Sequence, residues 1–301
     1  MINKRGAKKI LIRAVGEERY YTAESKRRFR QAEQQGLEIL FIHQMGKVGS
    51  TAVVASLLAA GYSKQAKIIQ THFLSPQGRS FVENLEIEGQ GGWKNLTTRT
   101  KRFLVFSRVV GEMLQNGYLQ DHRPNVISLV RDPIATNLSG FFHNYLWWPL
   151  ELENQARAKT GDYLPQLIQQ FMQSYPHDVP LNWFDSEMKP LFGIDVFATE
   201  FPKDRGYKVY HGEHANLLLL KLEKLKDCAQ DAFDEFLGIK DFKLERANEA
   251  SNKWYAGLYQ EFKQEVSLPR SYVDHLYETR YMEHFYTAAE SKTFRQKWCC
   301  D

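Results

Sequence analysis

"LEILFIHQMGKVGSTAVVASLLAAG", residues 37–61, joins a short apolar run to a helix-like segment through a turn that carries two glycines. Residues 37–43 read as a buried strand, because the run is brief, apolar and ends in turn chemistry. Residues 50–61 have helical composition and close at Gly61, a residue suited to a C-cap. A strand, glycine loop and helix in that order make an anion site for a physical reason. The first N–H groups of a helix have no partner and point outward with the positive end of the dipole. Glycines let the backbone curl around the anion. Gly46, Gly49, Ser50 and Thr51 can supply that cradle. The competing reading is an ordinary strand-to-helix turn with Ser50 as a helix cap. The lysine comes early. A nucleoside-triphosphatase loop needs Gly, four residues, then Gly-Lys-Ser/Thr. Here Lys47 precedes Gly49 by two positions.

Working outward, "KIIQTHFL" (67–74) reads as a second strand and "NVISLV" (125–130) as a third. Residues 97–117 between them have helical spacing and end at Gly117. After the third strand, Asp132 and Pro133 suit an N-cap and first turn, for a helix running to about Trp148. Residues 162–175, 224–238 and 269–286 read as further helices, and 206–212 and 216–223 as strands joined through Glu213 and His214. The alternation predicts an α/β protein with a mainly parallel sheet. Right-handed crossovers place the loops after its strands on one edge. One domain over 37–301 is expected, with helical insertions, the largest near 150–205. The charged residues 1–36 read as a lead-in, arm or solvated helix.

The 301 residues, 43% hydrophobic, suffice for a large core, and a net charge of +4 fits an anionic ligand without calling for nucleic acid. Cys228, Cys299 and Cys300 form neither a disulfide framework nor a metal spacing, which suits a reducing, cytoplasmic setting. No stretch approaches the roughly 18 apolar residues of a membrane span, and the basic N-terminus lacks a signal-peptide core. Oligomeric state stays open.

Lys47-Val48-Gly49-Ser50-Thr51 after a strand resembles the 5′-phosphosulfate loop of sulfotransferases that use 3′-phosphoadenosine 5′-phosphosulfate (PAPS). "VISLVRDPIATNLSGFFHN" (126–144) strengthens it: in that family Arg-Asp-Pro is followed by a serine eight residues after the arginine, the spacing of Arg131 and Ser139. Physically, Arg131 ends a strand at the ligand-binding edge. Ser139 lies two helical turns on and faces the same side if the first turn is irregular. Guanidinium and hydroxyl together suit a phosphomonoester. "LLLLKLEKL" (217–225) resembles the family's Lys/Arg-x-Glu-x-Leu strand end, where Glu223 has a structural role. Asn252-Lys253-Trp254-Tyr255 resembles the signature of a bacterial capsular polysaccharide synthesis family, and lies where sulfotransferases carry a late basic loop.

The resemblance implies a P-loop-type three-layer fold over roughly residues 37–260. It puts Lys47 beside the bridging oxygen and sulfuryl group, with Gly46, Val48, Gly49, Ser50 and Thr51 around the 5′-phosphate. It puts Arg131 and Ser139 on the 3′-phosphate and Lys253 on phosphate, with Trp254 or Tyr255 stacked on a ring. One departure is plain: many members carry a second arginine where this chain reads Ile134-Ala135-Thr136-Asn137. The implied activity is sulfuryl transfer from PAPS to a hydroxyl, leaving adenosine 3′,5′-bisphosphate, without a metal. A capsular or exopolysaccharide glycan is the implied acceptor. Such transfer needs charge stabilisation and a base. His72, after the second strand, is the candidate, since the topology can bring it beside Lys47. His43 and His143 are less well placed. Trp147, Trp148 and Trp183 are candidate sugar platforms, although core packing is the commoner use. Two other readings remain. One is an ATP-dependent nucleotide or sugar kinase, opposed by the missing Gly-Lys-Ser/Thr and the lack of an aspartate for Mg²⁺. The other is a non-enzymatic protein with a degenerate loop.

Overall fold

The computed structural model describes residues 12, 14–143, 148–245 and 253–299. Residues 1–11, Trp147, Ser251, Asn252 and Cys300 lie outside the described residues. Five strands form one sheet: β1 (Glu38–His43), β2 (Ala66–Thr71), β3 (Asn125–Val130), β4 (Tyr207–His211) and β5 (Asn216–Lys221). Their order is β2-β1-β3-β5-β4. β1 lies parallel to β2 and β3, and β3 to β5. β4 turns back antiparallel to β5 at the edge. The α/β, mainly parallel reading therefore holds. β2 stops at Thr71 rather than at 74, because the next amides turn away from the ladder. The N–H groups of Leu74 and Ser75 donate to the Glu187 carboxylate at 2.7 and 3.0 Å.

Strand residues alternate between two cores. Leu40, Ile42, Ile127, Leu129, Leu218 and Leu220 join one. Phe41, Val126, Val130, Leu217 and Leu219 join the other. A sheet apolar on both faces needs helices on both, which explains why these strands are unbroken apolar runs.

Helix α1 (Glu17–Gln34) lies within the stretch read as a lead-in. It buries Tyr21, Phe29 and Ala32, and its Glu24 pairs with Arg102 at 3.0 Å. α2 (Ser50–Ala59) follows the glycine loop and packs Val53 and Leu57 on the first face. α3 (Pro76–Gly89) and α4 (Thr98–Met113) cross from β2 to β3. α4 stops short of 117, where Gly117 at φ 96° breaks the regular turn. α5 (Pro133–His143) starts at Pro133 as expected and is described as far as His143.

The insertion carries α6 (Leu150–Ala158), α7 (Tyr163–Ser174) and α8 (Val179–Trp183). α9 (Leu225–Leu237) returns to the first face and ends at left-handed Gly238. α10 (Ala256–Glu265) precedes a break in the expected last helix. Residues 269–286 are two helices, α11 (Arg270–Tyr277) and α12 (Arg280–Phe285), because the Thr279 hydroxyl caps a new start. A further helix, α13 (Ala288–Trp298), closes the described chain behind a Thr287–Glu290 capping box. Among the described residues no helix is long and apolar enough to cross a membrane.

Candidate functional site

The loops after β1, β2, β3 and β5 share the carboxyl edge of the sheet. The chain leaves β1 toward β2 on one side, and β3 lies on the other. This change of direction opens a crevice in doubly wound sheets. Both phosphate-type motifs meet there.

The loop Gln44–Gly49 curls through left-handed backbone at three positions: Gly46 (φ 102°), Lys47 (φ 61°) and Gly49 (φ 89°). The φ at Gly49 favours glycine, and a Cβ there would also press on the Leu222 Cδ1 methyl at 2.5 Å. Lys47 has a Cβ, and left-handed backbone costs such a residue about 1–2 kcal/mol. Arg131 offsets that strain. Its Nη1 donates to the Lys47 carbonyl at 2.7 Å, and hydrogen bonds from a charged group are worth about 1.5–3 kcal/mol. The arginine at the end of β3 thus braces the loop after β1. Ser50 caps no amide of α2; its hydroxyl accepts from Gln70 Nε2 at 2.8 Å.

Lys47 is crowded by cations. Burial, then Arg131 and Lys253, push its ammonium down to about 8 from 10.5. His143 lies in the same field. Burial of its ring, with Lys47, Lys253 and Arg99 nearby, pushes it down to about 4, although the residue keeps exposed surface. Lys253 was expected here. Arg99 and His143 were not: Arg99 sits in the first turn of α4 with no motif around it, and His143 closes α5 as described, ten residues after its start at Pro133.

Ser139 lies half-buried on α5, and among the described residues it shares no hydrogen bond with Arg131. Arg131 precedes the helix and Ser139 lies within it. The stretch lacking the second arginine, Ile134–Asn137, is buried, so a cation would be misplaced there. Lys263 stands in the field of Arg131 instead: burial, then Lys297 and Arg131, lower its ammonium.

His72 comes directly after β2. Its Nδ1 lies 2.9 Å from the Gln44 carbonyl and 2.8 Å from the Gln44 amide nitrogen. The carbonyl can only accept and the side-chain amide nitrogen can only donate, so Nδ1 serves one of them at a time; in the tautomer that donates to the carbonyl, Nε2 keeps a free lone pair. Burial lowers the imidazole below 6.5, against the pull of the Gln44 carbonyl, with His43 and Lys47 adding to the decrease. The ring is neutral at pH 7. Its main chain is held from the insertion, where the Trp183 indole N–H donates to the His72 carbonyl at 2.9 Å.

Glu187, also from the insertion, fixes the next residues. Besides the two amides it accepts from the Ser75 hydroxyl at 2.6 Å and sits 3.3 Å from His43 Nε2. Burial pushes this carboxyl up. The His43 ring, the Ser75 hydroxyl and the Leu74 N–H outweigh that and hold it below 4.5. A lone glutamate in a polar stretch gave no signal of this role.

Behind Arg131 stands a network around the buried Asp132 and the more exposed Glu223. Asp132 caps α5 through the Ile134 N–H at 3.0 Å and accepts from Tyr277 at 2.7 Å and Trp298 at 2.9 Å. Burial outweighs these donors and raises its carboxyl. Glu223 accepts from the Asp132 N–H at 2.8 Å and Tyr286 at 3.2 Å, which gives the Lys221-x-Glu223 strand end its structural part. Lys221 is buried against Glu290 at 2.8 Å.

Lys253 opens the turn into α10. Beside it, the Trp254 ring is covered by the Arg157 guanidinium at 3.6 Å. Tyr255 is buried against Phe142, so it presents no open face to a ligand ring. Residues 159–287 match the model of a family described as "Putative capsular polysaccharide synthesis protein". No curated protein and no solved structure matches the chain. The matched stretch includes most of the insertion, β4, β5 and Lys253. The glycine loop, His72 and Arg131 precede it.

Trp148 packs in the core against Phe141 and Phe142. Trp183 is also buried, yet its edge lines a cavity of about 610 Å³ between α3, α7, α8 and α11.

Proposed function

We propose that this chain is a PAPS-dependent sulfotransferase on a P-loop-type fold. It transfers a sulfuryl group to a hydroxyl of a carbohydrate acceptor in capsular or exopolysaccharide synthesis. One observation carries the reading. Burial and two further cations shift Lys47, and no carboxylate joins them among the described residues. Charges packed in this way are stabilised by a polyanion, and the left-handed loop beside them turns backbone N–H groups toward one. The spacing of the lysine departs from that of ATP-hydrolysing loops.

Gly46, Val48, Gly49, Ser50 and Thr51 would hold the 5′-phosphosulfate. Arg131, Ser139 and Lys253 would hold the 3′-phosphate. Bound PAPS supplies the sulfuryl group and a phosphate leaving group. Lys47 places an ammonium where negative charge grows on leaving. His72 Nε2, neutral and with Nδ1 held by Gln44, takes the proton from the acceptor hydroxyl. Arg131 does two jobs, bracing the Lys47 backbone and presenting the rest of its guanidinium to phosphate. The proposed reaction calls on these cations in place of a divalent metal.

A thermal-shift comparison tests this. Adenosine 3′,5′-bisphosphate is expected to raise Tm in the presence of a chelator, and ATP with Mg²⁺ to leave it unchanged. Stabilisation by ATP–Mg²⁺ alone would replace the reading with a kinase. Stabilisation by neither would favour a protein with a degenerate loop.

A further inference from the structure

The cavity of about 610 Å³ is of ligand size, and it lies next to the candidate base. Phe73, the residue after His72, lines it, and so does Trp183, which holds the His72 carbonyl. Its far wall is Tyr175, packed so closely on Gly140 that a Cβ there would lie 2.0 Å from the phenol oxygen. Gly140 follows Ser139, so the cavity spans the space from the His72 segment to α5.

Its chemistry differs from that of the glycine loop. Phe73, Phe81, Tyr175 and Trp183 supply aromatic surface, and Gln77 and Asn182 supply neutral amides. Neither Lys nor Arg is among the described residues lining it. The ionisable groups at its rim are Asp178 and His275, held together at 2.7 Å, with His177, which is bonded to Tyr272 at 2.7 Å. Aromatic faces with amide edges match a pyranose ring, which has apolar C–H faces and a belt of hydroxyls. A carboxylate or sulfate would find no cation here and would meet Asp178.

We propose that this cavity is the acceptor site and that it takes an uncharged sugar ring at a glycan terminus, discriminating against uronic acids. The proposal rests on the sulfotransferase reading for the word "acceptor"; the cavity's preference for a neutral saccharide stands independently.

Saturation-transfer NMR on the full chain tests it with cellobiose, N,N′-diacetylchitobiose, digalacturonate and phenol as probes. Adenosine 3′,5′-bisphosphate binding is measured in parallel. At least one neutral disaccharide is expected to bind, and digalacturonate to bind about tenfold more weakly or not at all. Phe81 is 38% exposed on α3, so Phe81→Ala folds. It should weaken the disaccharide by roughly fivefold or more while leaving bisphosphate affinity unchanged. Asn182→Ala, also exposed, is the second variant and should weaken it as well. Binding of phenol alone, equal binding of digalacturonate, or no response to either variant would overturn the proposal. Bisphosphate binding without any neutral saccharide overturns this inference and leaves the sulfotransferase reading. Saccharide binding without bisphosphate does the reverse.

Discussion

The glycine loop and the aromatic cavity flank one histidine and are made of opposite materials. The loop is backbone: three left-handed residues in a span of four, braced by one arginine, with Lys253 in the field of its own Lys47. The cavity is side chain: rings and amides from α3, α7, α8 and α11, with no lysine or arginine lining it among the described residues. A phosphate carries its charge wherever it goes, so a short curl of amides near cations can hold it. An uncharged ring has only shape and hydroxyls to offer, and recognising it needs walls from several elements. His72 stands where the two meet. Gln44 ties it to the loop, and Trp183 ties it to the cavity.

The sharpest way to break this division is at His72. His72→Ala should lower turnover by roughly 10²–10⁴-fold, the usual range for a general base, with bisphosphate affinity nearly unchanged. Steady-state rates beside a binding titration check this. A loss of bisphosphate binding would make His72 part of the cradle rather than its neighbour. Because its imidazole lies below 6.5, the neutral form prevails at pH 7, and turnover should fall only as pH drops below that value.

Arg131→Ala comes next. It should weaken adenosine 3′,5′-bisphosphate by about 10- to 100-fold, the equivalent of one charge-assisted contact. Adenosine 5′-phosphosulfate, which lacks the 3′-phosphate, should lose less. It will still lose something, because Arg131 Nη1 also braces Lys47. Equal losses, read by calorimetry, would assign Arg131 to the brace alone.

The smallest effect is in pH. Lys47 is charged below about 8 and neutral above it in the free chain. A bound polyanion favours the charged form and raises that value, so binding takes up a proton above pH 8. Bisphosphate affinity should therefore fall by up to about tenfold per pH unit between 8 and 9, the limit for one proton. Lys47→Met should flatten the slope. Saccharide binding in the cavity should not share it.

The same division explains what the sequence disclosed. The cradle is local, and residues 44–51 spell out its glycines, lysine and hydroxyls in one run. Arg131 was legible because it ends a strand whose apolar run is unmistakable. The sheet was legible for the same reason, since β1, β3 and β5 are buried on both faces and leave no polar alternation to confuse. Helix α1 was one of the readings for its stretch, but its packing was not legible, because its buried stripe, Tyr21, Ser25, Phe29 and Ala32, is diluted by charge on every side. Arg99, His143 and Glu187 were not, because each works only through a partner distant in the chain. The long helix expected over 269–286 failed at Thr279, whose capping hydroxyl is a single-residue signal inside an otherwise helical pattern.

Glu187 adds a consequence for the order of assembly. It grips Ser75 across 112 positions of sequence. Sheet pairing between neighbouring strands can precede that contact, but the turn after β2 cannot take its final path until the insertion docks and delivers the carboxylate. Loop closure over such a distance is entropically late. A chain still emerging, or one nicked within the insertion, would hold a formed glycine loop beside an unseated histidine. On the proposed sulfotransferase reading, it would bind bisphosphate before it could turn over, so ligand occupancy alone would overcount the fully folded chain in a preparation.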